Sequence, residues 1–122
     1  MSSIETALKD AMEIDGAFGA ALVDLDSGMA LGMVGGGPLD LEIAAAANTE
    51  VVRAKLRAMS ALALGETIED ILITLDTQYH LIRLLQRRQG PGLFLYLALY
   101  RDKANLALAR HKLRQVESAL VV

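Results

Sequence analysis

The 122-residue chain has no cysteine and no tryptophan, and only 2 prolines. Without cysteine there is no disulfide, no thiolate nucleophile and no cysteine zinc site, and nothing calls for an oxidising compartment. Aromatic residues make up 4% of the chain, too few for the stacking platform on which single-stranded nucleic acid is held. The longest apolar run, Leu93–Tyr100, is too short to span a bilayer as a helix. The opening MSSIETALKDAMEI carries acidic residues where a signal peptide would be basic and then apolar. A soluble, unprocessed, cytoplasmic protein is therefore expected, with no membrane span and no nucleic-acid partner.

What is present is a globular composition, 53% hydrophobic and 22% charged, at a length that suits one domain over residues 1 to 122. The net charge of -3 is unevenly spread. Residues 1 to 50 carry nine carboxylates (Glu5, Asp10, Glu13, Asp15, Asp24, Asp26, Asp40, Glu42 and Glu50) against Lys9 alone. Residues 79 to 114 reverse the sign, with Arg83, Arg87, Arg88, Arg101, Lys103, Arg110, Lys112 and Arg114 against Asp102. A basic surface is expected there.

Ser2 and Glu5 have capping-box spacing, and Ile4, Ala7, Leu8, Ala11 and Met12 recur at three and four residues, which predicts a first helix. AFGAALVDL and GMALGMV flank Asp26-Ser27-Gly28 and read as a β-hairpin whose glycine-rich second strand belongs at an edge. Asp40 is placed to cap a long helix over residues 41 to 64, closed by Gly65. Three strand-like runs follow, EDILITLDT, YHLIRLLQ and GLFLYLALY, joined by short links that make neighbours antiparallel. A final helix runs from about residue 104 to 120, with Leu106, Ala109, Leu113, Val116 and Leu120 on one side. Because ILITL and LFLYLALY are apolar at odd and even positions alike, both sheet faces need cover. The predicted α+β fold is an α/β/α sandwich on a five-stranded antiparallel sheet, in the order α-β-β-α-β-β-β-α, with the long helix on one face and the terminal pair on the other.

Projected at about 100° per residue, the long helix carries two apolar stripes where one sheet face needs only one. The first is Ala44, Ala47, Val51, Ala54, Ala58 and Ala61; the second is Ala45, Val52, Leu56, Met59 and Ala63. Thr49, Glu50, Arg53, Arg57 and Ser60 form a polar band beside them. With the other two helices committed to the opposite face, a second copy of the chain is the expected cover for the first stripe, and the Leu56/Met59 stripe is expected on the sheet.

No catalytic constellation is present, and an enzyme is not expected. Asp24-Leu25-Asp26-Ser27-Gly28 imitates the start of a calcium loop, but Gly35 stands where a bidentate glutamate belongs, so a hairpin turn is the better reading. Gly35-Gly36-Gly37 is followed by no lysine with serine or threonine, and it reads as a connector. His80 and His111 have no local carboxylate spacing that suggests a metal site or a general base, and Ser60 and Ser118 lack elbow glycines. No cofactor and no metal are implied.

The string DGAFGAALVDLDSG at 15 to 28, the closing pattern DKANLALARHKLRQVESAL at 102 to 120 with Asn105 and Arg110 ahead of Leu113, and the element order resemble the Roadblock family, the dynein light chain type 7 domain, over nearly the whole chain. The resemblance implies a dimer in which the long helices pair and the strand after them, about residues 69 to 77, joins its counterpart, so that Ile71 and Ile73 meet the seam. It also implies a non-catalytic interaction platform that regulates or scaffolds a small Ras-like GTPase in a signalling or polarity complex. An acidic partner of that kind would be steered by the basic region, with Arg83, Arg87 and Arg88 as contacts, the last two on an exposed hairpin tip. Solvated surface charge is the plainer reading of that stretch. The alternative function is a small-molecule-sensing module with a profilin-like or PAS-like role, using apolar space between sheet and helix.

Overall fold

The computed structural model describes residues 2–86 and 92–121. In chain order the elements are α1 (Ile4–Met12), β1 (Ala17–Asp24), β2 (Ala30–Gly35), α2 (Leu41–Ala61), β3 (Asp70–Thr74), β4 (Gln78–Leu84), β5 (Leu93–Tyr100) and α3 (Leu106–Ala119). The strands form one antiparallel sheet in the order β2-β1-β5-β4-β3. Strand β5 runs down its middle with only Tyr100 not fully buried, as its uninterrupted apolar sequence requires.

Two cores lie on either side of the sheet. On one face Leu8 and Ala11 of α1 and Ala109, Leu113 and Val116 of α3 pack over Ala20, Leu22, Leu81, Leu95 and Leu97. On the other, Leu41, Ala45 and Val52 of α2 pack over Ala21, Val23, Ile82, Phe94 and Tyr96. This is the α/β/α sandwich read from the sequence, with the long helix alone on its face. The chain ends are tied together: Ser2 N–H donates to Ala119 O at 2.6 Å, and Val121 N–H to Ser2 O at 2.8 Å.

Helix boundaries differ from the sequence reading in two places. Helix α1 is capped by Ser3, not Ser2, with the Ser3 hydroxyl accepting from Thr6 N–H at 3.2 Å, while Ser2 is spent on the bridge to the C-terminal segment. Helix α2 stops at Ala61 instead of running to residue 64. Its end is a Schellman motif, with Leu64 N–H bonded to Met59 O and Ala63 N–H to Ser60 O, and Ala63 occupies the left-handed position at φ 55° that glycine usually fills. The other two caps are as the sequence suggests for Asp40, which accepts from Glu42 N–H and Ile43 N–H, and are supplied at α3 by Asn105, which accepts from Leu108 N–H.

Glycine matters sterically at the β2 edge. A Cβ on Gly32 would meet Ile4 and Leu8 of α1 at 2.9 and 3.0 Å, and one on Gly35, at φ 72°, would lie 2.6 Å from Phe18 O.

Candidate interaction surface

The two stripes of α2 separate in the structure. Ala45 and Val52 are buried against the sheet and Met59 is buried near the end of the helix, whereas Ala47, Val51, Ala54, Ala58 and Ala61 are exposed, Val51 by 40%. Over the stretch from Ala47 to Ala61, about 20 Å of helix at 1.5 Å per residue, the outward line carries nothing larger than valine. Ala44 departs from its stripe: at the start of the helix it turns toward the sheet and joins the core. Leu56 departs the other way and is exposed, since only Met59 of that pair is buried.

The polar band is not simply wet. Thr49 is only 1% exposed, because the β1–β2 turn lies over it, and its hydroxyl donates to Ala45 O at 2.7 Å. Arg53 reaches the same turn, donating through Nη2 to Leu25 O at 2.9 Å and to Asp26 O, while Nη1 pairs with Glu50 at 3.0 Å. These two residues fasten the turn to the helix. A helical projection misses this role, since nothing in the local sequence says that a turn some 28 positions earlier folds back onto Arg53.

Strand β3 forms the edge of the sheet opposite β2, and its Ile71 and Ile73 stand half-buried against the α2-side core. Leu75 N–H bonds Gln78 O, and alternation from that pair leaves the backbone groups of Asp70, Leu72 and Thr74 pointing away from β4. Among the described residues, the exposed line of α2 and the edge of β3 thus present apolar side chains and unpaired main chain.

Beside Ile73 lies a polar chain of three side chains. His80 Nε2–H donates to Gln78 Oε1 at 2.8 Å, and the Tyr96 hydroxyl donates to His80 Nδ1 at 3.0 Å, which requires a neutral imidazole. Burial holds the His80 imidazole below its ordinary value of 6.5 and pushes the Tyr96 phenol up to about 12. No nucleophile or carboxylate adjoins the pair in these bonds, so its chemistry is that of a satisfied buried network.

The basic region is altered more than any other by folding. Arg83, expected as a surface contact, is 6% exposed and forms an ion pair with Glu117 of α3. Arg83 ends the buried stretch Leu81–Arg83 of β4, where a side chain directed at α3 has little solvent to reach. Arg110 makes a two-pronged pair with Asp70 at 2.8 and 2.9 Å, Arg114 lies 3.8 Å from Glu69, and Arg101 donates to Leu75 O at 2.8 Å beside the Tyr79 ring. Carboxylates distant in sequence therefore neutralise Arg83, Arg110 and Arg114. Arg87 and Arg88 lie outside the described residues.

The calcium-like segment is a turn closed on itself: Asp24 accepts from Ser27 Oγ at 2.8 Å and from Asp26 N–H at 3.2 Å. The Ser27 hydroxyl, chiefly, holds the Asp24 carboxyl below the usual range. Among the described residues no group of three or more histidines and carboxylates is placed to hold a metal ion, and no helix is long and apolar enough to cross a membrane.

No protein-family model matches the sequence, and no curated protein matches it. Solved structures do. The Roadblock/LC7 domain from Streptomyces avermitilis superposes with a TM-score of 0.80 at 15% identity, over 97% of this chain and 94% of that one. The chain has the Roadblock/LC7 fold. An MglB in a tetrameric arrangement matches with a TM-score of 0.79 at 17% identity, covering 95% of this chain and 83% of its own. The gliding protein MglB from Thermus thermophilus matches at 0.71 and 16% identity, covering 94% and 88%. Within this Roadblock/LC7 fold, the two residues singled out in the closing pattern hold structure together. Asn105 caps α3, and Arg110 binds α3 to the edge strand β3 through Asp70.

Proposed function

We propose that the protein is a non-catalytic, cytoplasmic, homodimeric platform, a single Roadblock-like domain over residues 1 to 122 that regulates or scaffolds a small Ras-like GTPase. The observation that carries this reading is the exposed small-residue line of α2, Ala47, Val51, Ala54, Ala58 and Ala61, on a helix that already covers its sheet with a different stripe. Small side chains let two helix backbones approach closely, and the free edge of β3 with Ile71 and Ile73 extends the same seam by strand pairing. Joining two copies there removes apolar surface from water and satisfies an open sheet edge at once.

The GTPase half of the proposal rests on the fold's likeness to MglB proteins, one of which is described as a gliding protein, and on the Roadblock resemblance of the sequence. Arg87 and Arg88 remain its proposed basic contacts; Arg83 does not, being committed to Glu117. The test is titration calorimetry of the chain against a small Ras-like GTPase from the same genome, loaded either with GDP or with a non-hydrolysable GTP analogue. Binding that differs between the two nucleotide states supports the proposal. Absence of binding to either, together with thermal stabilisation by a metabolite, supports the ligand-sensing alternative instead.

A further inference from the structure

The opposite edge of the sheet, β2, has properties that the proposed dimer does not use. Gly36 N–H bonds Phe18 O at 2.7 Å, and alternation from that pair makes Val34 and Gly32 the residues that exchange hydrogen bonds with β1. Met33 and Gly35 then direct their N–H and C=O groups outward, where no other strand follows among the described residues. Leu31 is the extra residue of a bulge and has no partner on β1. The strand carries neither lysine nor proline, the usual guards of an open edge.

An apolar groove accompanies this edge on each face. On the α2 side, one of about 380 Å³ is lined by Met29, Met33 and Ala46, with Met29 67% exposed. On the α1 side, one of about 260 Å³ is lined by Ile4, Leu8 and Val34. Both grooves have acidic members, Glu42 on the first and Glu5 on the second, and Asp40 stands with Glu42 at the end of the strand near Gly35. Glu5 is shared with Lys9 at 3.3 Å, both well exposed, so that pairing is weak.

We propose that the free edge of β2 is a strand-addition site for an extended segment of another protein, one with a short apolar run flanked by lysine or arginine. Main-chain bonds to Met33 and Gly35 align such a segment, and its successive side chains enter the two grooves in turn. The acidic rim selects the basic flanks. It also disfavours a second copy of this chain, whose β2 is flanked by Asp24, Asp26 and Asp40 and by no lysine or arginine. Methionines on the α2 side suit a partner whose apolar residues vary in shape. The edge lies at the far end of the sheet from β3, and its α2-side groove uses Glu42 and Ala46 near the start of α2, well before Ala54 in the proposed seam.

The probe is the blocked peptide Lys-Lys-Thr-Val-Leu-Val-Thr-Lys-Lys, titrated into the isotope-labelled full chain with amide shifts as readout. Binding is expected to move the Met33 and Gly35 amides. Replacing the peptide's lysines by glutamates, N-methylating its central leucine, or introducing Glu42→Lys into the protein should each weaken binding at least about tenfold. Met33→Lys changes an exposed side chain and should weaken binding likewise with the spectrum otherwise intact. The proposal is overturned by no shift at about 1 mM peptide, by shifts centred elsewhere, or by equal affinity for the glutamate-flanked peptide. It is overturned in favour of self-association if Met33→Lys lowers the chain's own mass by sedimentation. An Ala54→Glu chain should bind the peptide as the parent does, which separates failure here from failure of the dimer.

Discussion

Arg83 of β4 and Glu117 of α3, 34 residues apart in sequence, form an ion pair buried between the sheet and the last helix. The second Glu117 oxygen accepts from Gln86 N–H at 3.2 Å, which anchors the end of β4 as well. Glu117→Ala leaves a guanidinium without its counter-charge in a covered site, and should cost about 3–5 kcal/mol in urea denaturation. The double change Arg83→Met with Glu117→Leu removes both charges and should recover most of that loss. If the single change costs under about 1 kcal/mol, the pair is solvated and not buried.

Ala63 closes α2 in a conformation that suits glycine, at φ 55°. Ala63→Gly should raise the stability of the fold by about 1 kcal/mol, the approximate penalty of a Cβ in the left-handed region. The side chain is exposed, so no packing is lost to offset the gain. A lowered denaturation midpoint for this variant would mean that the helix does not end in this motif.

His80 makes stability depend on pH in a stated direction. Its folded value lies below the ordinary 6.5, so the unfolded chain takes up a proton first as pH falls. Stability should therefore decline from about pH 6.5 downward until the folded state also protonates, when His80 Nδ1 can no longer accept from Tyr96. His80→Gln should flatten that part of the profile. Tyr96 acts at the other end: with its phenol raised to about 12, the folded state keeps a proton that the unfolded chain releases near 10. Stability should fall between those values and Tyr96→Phe should abolish that fall.

The helices, the hairpin and the coverage of both sheet faces were legible because they rest on periodicity and on connectors such as Gly35-Gly36-Gly37. Once β2 and β3 are the edges and short links keep β3, β4 and β5 adjacent, pairing of β1 with β5 closes the sheet. The α2 terminus was not legible, since Leu62, Ala63 and Leu64 continue the helical composition and the stop is made by a residue that does not favour it. Arg83 was misread for a different reason. A charge within LIRLL looks like surface when its partner lies in another element, and only the fold brings Glu117 to it. Thr49 and Arg53 likewise owe their places to a turn that a single-helix projection cannot see. At 15% to 17% identity to the structures with this fold, the backbone arrangement matches where most residue identities do not.

Ala54 and Ala58 lie outward on α2, and neither contributes to the core of the chain. Ala54→Glu should therefore leave the circular dichroism and folded-state spectrum unchanged while weakening self-association at least about a hundredfold, since a carboxylate in a close helix pair is desolvated without a partner. Unfolding of the variant would instead place Ala54 inside the protomer.

The most direct test is the mass of the purified chain by sedimentation equilibrium across a wide concentration range. The outward line of α2 and the open β3 edge predict a particle of twice the 13.1 kDa chain that persists on dilution to micromolar concentration. A stable particle of one chain at high concentration would contradict the account.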